Sequence, residues 1–154
     1  MKSLHPLSLP LGVFMTIIKI TDKIYVSGLV SLKAKQESGI RYAINLSGQR
    51  HKDAGAEKQF RLIDGRGNKS ERIVKLLEII DLRIKHQKYP LLIHCAQGKS
   101  RSPAIIALYL VYRGRFSSFE KAVDYVASIN PGTQPNQNLI DFLRKEVIPL
   151  IKLK

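Results

Sequence analysis

Cysteine, tryptophan and acidic residues are scarce in this 154-residue chain, with one Cys, no Trp, and 12 Asp and Glu against 26 Lys and Arg. A lone cysteine, Cys95, excludes an intrachain disulfide framework and any zinc site built of paired cysteines, and it suits a reducing cytosol. His5, His51 and His86 lack both the i, i+4 spacing and the carboxylate partners of a metal centre, so neither a metal nor another cofactor is expected. Long apolar runs are missing too. The stretch 4–18 is broken by Pro6 and Pro10 and falls short of the roughly 20 residues a membrane span needs. It carries no small-residue cleavage pattern, so no secretion signal is read and a soluble, cytoplasmic protein is expected.

With 44% apolar and 25% charged residues, the chain has the composition of a globular domain. No repeat or low-complexity tract divides it, which leaves one domain over 15–154 and an N-terminal extension at 1–14 outside the core. A monomer is expected. Runs rich in β-branched and aromatic residues read as strands at Phe14 to Ile20, Ile24 to Val26, Tyr42 to Leu46, Phe60 to Ile63 and Leu91 to His94. The first two are close enough for a hairpin. From Ser70 to His86, apolar residues recur at helical spacing at Ile73, Leu76, Leu77, Ile80 and Ile84. Strands alternating with helices imply crossovers and parallel pairing. Beyond His94 the pattern turns helical. Ser102 reads as an N-cap with Pro103 behind it, and Ala104 to Tyr112 is apolar on every side and so buried. Ser117 and Glu120 read as a capping box for a second helix closed by Asn130, Pro131 and Gly132, and a third helix starts near Asn136. The fold class is therefore α/β, a small, mostly parallel sheet of about five strands with one helix pair before the last strand and three helices after it.

The turn between the last strand and the buried helix reads His94-Cys95-Ala96-Gln97-Gly98-Lys99-Ser100-Arg101-Ser102, at a strand's carboxyl end where open α/β sheets hold ligands. Five residues between Cys95 and Arg101 can curl so that backbone N–H groups of Ala96, Gln97, Gly98, Lys99 and Ser100 point inward at a helix N-terminus. That makes a nest of phosphate size. Arg101 supplies a bidentate fork, and Gly98 permits a turn that a side chain would obstruct. Helix N-termini and nearby cations favour the ionised form of a thiol, so Cys95 is expected as a thiolate nucleophile, with Ser102 hydrogen-bonding the sulfur as it leaves.

These residues resemble the H-C-x-x-G-x-x-R-[ST] signature of the cysteine-dependent protein tyrosine phosphatases, and in particular their compact dual-specificity branch. Ile24 to Gly28, Gly39 to Leu46 and Pro135-Asn136 look like further landmarks of that branch, extending the resemblance from Met15 to Val147. It implies a general acid about thirty residues before the cysteine, and Asp64, on a Gly-rich loop at the end of a strand, fits by position. It implies a supporting role for His94, which otherwise reads as a core imidazole, and a loop-bracing role for Asn136, which otherwise reads as an N-cap. Gln134 and Gln137 read either as orienting the hydrolytic water or as exposed cap residues.

The resemblance implies hydrolysis of phosphotyrosine, phosphoserine and phosphothreonine in proteins or peptides through a cysteinyl phosphate, without cofactor. No insertion for a deep tyrosine-selective pocket is present, which favours a shallow cleft. The +14 charge, with Arg66, Lys69, Arg72 and Lys99 near the cleft, points to acidic or polyphosphorylated substrates and keeps RNA 5′-triphosphatase as the alternative. A non-catalytic phosphate-binding module is the other alternative.

Overall fold

The computed structural model describes residues 16–151. A five-stranded sheet forms the centre: β1 (Ile18–Lys19), β2 (Ile24–Ser27), β3 (Tyr42–Asn45), β4 (Lys58–Gln59) and β5 (Leu91–His94), in the order β1-β2-β5-β3-β4. β1 and β2 form the expected antiparallel hairpin, while every other pairing is parallel. The expected first strand is shorter than its apolar run, and Phe14 and Met15 lie outside the described residues, as does the whole 1–14 extension. β5 is the middle strand, buried along its length, with His94 in register with Ser27 on one side and Asn45 on the other.

The fourth strand differs from expectation. Its ladder covers Lys58–Gln59, not Phe60 to Ile63, although Phe60 N still donates to Asn45 O (2.9 Å) and Leu62 N to Leu46 O (2.8 Å). Phe60 and Leu62 turn inward and Arg61 and Ile63 outward, so the alternating pattern that reads as a strand reports one-sided burial beyond the end of the ladder.

Two helices precede β5, α1 (Leu32–Glu37) and α2 (Ser70–Lys85), and three follow it, α3 (Arg101–Tyr112), α4 (Phe119–Ile129) and α5 (Gln137–Phe142). A π turn at Leu143–Val147 and a 3₁₀ turn at Ile148–Leu150 continue from α5. α2 buries Ile73, Leu76, Leu77 and Ile80 on one stripe, and α3 is buried from Ser102 to Tyr112, as an all-round apolar helix must be. Fully burying each such Leu or Ile contributes roughly 1.5–3 kcal/mol. The cap of α3 is Ser100, not Ser102, which is the second residue of the helix; the cap of α4 is Ser118, not Ser117, with its hydroxyl accepting from Lys121 N at 3.2 Å. Among the described residues, no helix is long and apolar enough to cross a membrane.

Candidate active site

The loop from Cys95 to Ser100 leaves the carboxyl end of β5 and enters α3 at Arg101. Its surroundings hold its carbonyls. Leu29 N donates to Ala96 O (3.1 Å), Asn130 Nδ2 to Gly98 O (3.0 Å) and Gln134 N to Lys99 O (2.7 Å). With the carbonyl oxygens of Ala96, Gly98 and Lys99 engaged by surrounding donors, the loop's amides are left free to line a nest at the N-terminus of a 12-residue helix whose dipole favours an anion. Gly98 has φ +72, and a Cβ there would lie 2.8 Å from the carbonyl carbon of Ser27. Both the left-handed backbone and the close approach to β2 require glycine.

Cys95 is 2% exposed, at the floor of this loop, with its Sγ 3.1 Å from Ser102 Oγ. Moving Ser102 from the cap into the first turn of α3 is what brings its hydroxyl under the sulfur. Arg101 Nη1 donates to Ser47 O and Leu62 O, both at 3.3 Å, and so ties the rim to the ends of β3 and the 60–63 segment. A guanidinium carries five donors, so this anchorage leaves a fork for two ligand oxygens.

Asp64 lies on the loop after Ile63, and its Oδ1 accepts from Ser100 Oγ at 2.5 Å. Ser100 Oγ also accepts from Asn136 N at 2.8 Å. Asn136 caps α5, its Oδ1 accepting from Asn138 N and Leu139 N, so it serves both the helix and the loop. The structure thus brings Cys95, Arg101, Asp64, Ser102, His94 and Asn136 together around one loop. The two glutamines differ. Gln134 touches the loop through its backbone N–H, and Gln137 Nε2 donates along α5 to Asp141 Oδ1 at 2.9 Å. Lys99, Arg66 and Lys69 are exposed, whereas Arg72 lies over the Phe60 ring (4.4 Å) and donates to Arg61 O (3.1 Å).

Two contributors are absent from the expected set. Asn130, expected only to close a helix, holds the carbonyl of Gly98. Glu57 accepts from His94 Nε2 at 2.9 Å, with its side chain fully buried. Burial pushes the Glu57 carboxyl up, but hydrogen bonds from His94 and Asn45 outweigh it and hold the group well below the usual carboxylate range. The only signal in the sequence is the rarity of acid in so basic a chain. Among the described residues no cluster of His, Cys, Asp and Glu is arranged to hold a metal ion.

The profile of the dual specificity phosphatase catalytic domain matches residues 24–146. Over 128 residues the chain is 30% identical to the protein-tyrosine-phosphatase MKP1 of Arabidopsis thaliana; the match covers 77% of this chain and 16% of that protein, so the chain spans a small part of the curated relative's length. Among solved structures, human DUSP28 superposes with a TM-score of 0.73 at 19% identity, covering 88% of this chain and 95% of the other. The PTP-2 phosphatase of Cydia pomonella gives 0.71 at 17% identity, with 84% and 89% covered.

Proposed function

The chain belongs to the dual specificity phosphatase family, and we propose that it hydrolyses phosphotyrosine, phosphoserine and phosphothreonine in proteins or peptides through a cysteinyl-phosphate intermediate. The observation that carries this reading is the sulfur of Cys95, 3.1 Å from a buried hydroxyl, at the base of a loop whose Ala96, Gly98 and Lys99 carbonyls are held by surrounding donors.

In the first step the Cys95 thiolate attacks phosphorus and the bond to the substrate oxygen breaks. Arg101 and the loop amides neutralise the three equatorial oxygens, charge that would otherwise call for a metal. Asp64 donates its proton to the departing alkoxide or phenoxide, general acid catalysis typically contributing 10² to 10⁴ in rate. In the second step the Asp64 carboxylate takes a proton from water as that water attacks phosphorus. The phosphorus–sulfur bond breaks and inorganic phosphate leaves. The Ser102 hydroxyl donates to the sulfur as it regains its charge.

The test is turnover of phosphotyrosine and phosphothreonine peptides by the parent and by Cys95→Ser. Cys95→Ser is expected to abolish turnover and to keep oxyanion binding within about tenfold, because the loop amides and Arg101 persist. Turnover retained in Cys95→Ser overturns the mechanism. The exposed Lys99 and Arg66 favour a second reading, RNA 5′-triphosphatase. Faster phosphate release from triphosphate-ended RNA than from either peptide would select it.

A further inference from the structure

Beneath the phosphate loop lies a group of charges that the reaction above does not use. Glu57, in the segment leading into β4, has a side chain with no exposed surface, and Lys35 of α1 and His94 of β5 are 3% and 1% exposed. Lys35 Nζ stands 3.2 Å from Glu57 Oε1, the same oxygen that accepts from His94 Nε2 at 2.9 Å. Asn45 of β3 donates to Oε2 at 2.8 Å, Gln59 of β4 at 3.0 Å, and half-exposed Arg50 comes within 3.8 Å of the same oxygen. Five segments of chain therefore converge on one carboxylate.

Burying an ammonium and a carboxylate together is costly, and such a pair is commonly neutral or worse for stability than an apolar replacement of equal volume. Its placement asks for another explanation. His94 is the residue before Cys95, its Nε2 is committed to Glu57, and its Nδ1 is buried with no partner among the described residues. A carboxylate on one ring nitrogen fixes which nitrogen carries the proton and how the ring is turned, and it favours positive charge on the ring. The ring is the end of the pair nearer the nucleophile by sequence, and the carboxylate is the far end. Lys35 shares Oε1 with the ring, and Arg50 approaches Oε2, so both cations bear on the same carboxylate.

The geometry points to Glu57 as a positioning residue for Cys95, acting through His94: it holds the ring of the residue before the nucleophile in one orientation and charge state, and so favours the thiolate. This rests on the phosphatase reading above for its functional meaning, but not for its measurement. Around the sulfur, the other groups that bear on its ionisation are Ser102 in α3, Arg101 at the rim, and Asp64 bridged through Ser100.

Cys95 is the only cysteine, so thiolate absorbance near 240 nm during a pH titration reports one sulfur. Glu57→Gln keeps the shape and an acceptor oxygen while removing the charge. The midpoint is expected to rise by about one pH unit, with the acid limb of kcat/KM moving by the same amount and the plateau unchanged, about tenfold lower activity on that limb. The double variant Lys35→Met with Glu57→Gln removes the ammonium that Glu57→Gln strands. It is expected to regain thermal stability and to retain the raised midpoint. A midpoint that stays in place or falls in Glu57→Gln overturns the inference. So does a double variant that recovers both stability and midpoint, which would make Glu57 merely the counter-ion of Lys35. If the parent hydrolyses no phosphoester, the phosphatase reading fails, while the titration still decides whether Glu57 governs the thiol.

Discussion

Ser100 Oγ donates to Asp64 Oδ1 at 2.5 Å and accepts from Asn136 N at 2.8 Å, so one hydroxyl joins the candidate acid to both the phosphate loop and the start of α5. Ser100→Ala removes both bonds, each worth about 1 kcal/mol. The expected result is a loss of about 1–2 kcal/mol in stability and a steeper dependence of kcat on leaving-group pKa, as Asp64 loses its anchor. A leaving-group series with substituted aryl phosphates measures it.

Asp64→Asn is expected to slow esters with poor leaving groups by about 10²- to 10³-fold while sparing activated aryl phosphates, whose oxygen departs without a proton. A uniform loss across the series would remove Asp64 from the acid role.

Gly98→Ala forces a Cβ to within 2.8 Å of β2 backbone at a φ of +72. Backbone strain of this kind costs about 1–3 kcal/mol, and the loop shifts in relieving it. Denaturant titration should register the destabilisation, and vanadate affinity should fall with it, because the displaced amides are those that face the anion.

The lowered carboxyl of Glu57 fixes a pH dependence of folding. A depressed native value adds stability above the unfolded value of about 4.3, and that stability is lost as pH falls through and below it. The melting temperature of the parent should therefore drop faster between pH 5 and 2 than that of Glu57→Gln, the gap between them narrowing toward low pH. A constant gap would contradict the assignment.

Lys99 is exposed within the phosphate loop. Acidic phosphopeptides should be preferred over neutral ones at 50 mM salt and lose that preference by 500 mM, as the Debye length falls from about 14 to about 4 Å. Lys99→Ala should reduce the preference at low salt, read as kcat/KM for the two peptides.

What could be read from the sequence follows contact range. Leu91–His94 and the helix from Ser70 emerge from local pattern alone, and Cys95, Arg101 and Ser102 declare themselves because the eight consecutive positions 95–102 form one loop and the helix start that follows it. Asp64 is separated from them, and only its distance along the chain to Cys95 picks it out. Glu57 and Lys35 do not emerge at all. Glu57 meets a residue 37 positions away, and Lys35 sits among the lysines of a short helix whose pattern resembles a solvated face. Ser102 carries both lessons: its place after Arg101 suggests contact with the sulfur, while Pro103 makes it look like a cap that Ser100 turns out to be.

β5 is flanked on both sides by parallel strands and backed by a fully buried helix, and its last residue leads straight into Cys95. Amides in such a central strand are expected among the slowest to exchange with solvent, unlike those of edge strands, which fray. The floor of the phosphate loop is consequently expected to belong to the last unit to exchange. Release of the nucleophile's strand is therefore expected only together with the sheet, so that binding competence is lost in the same transition as the core.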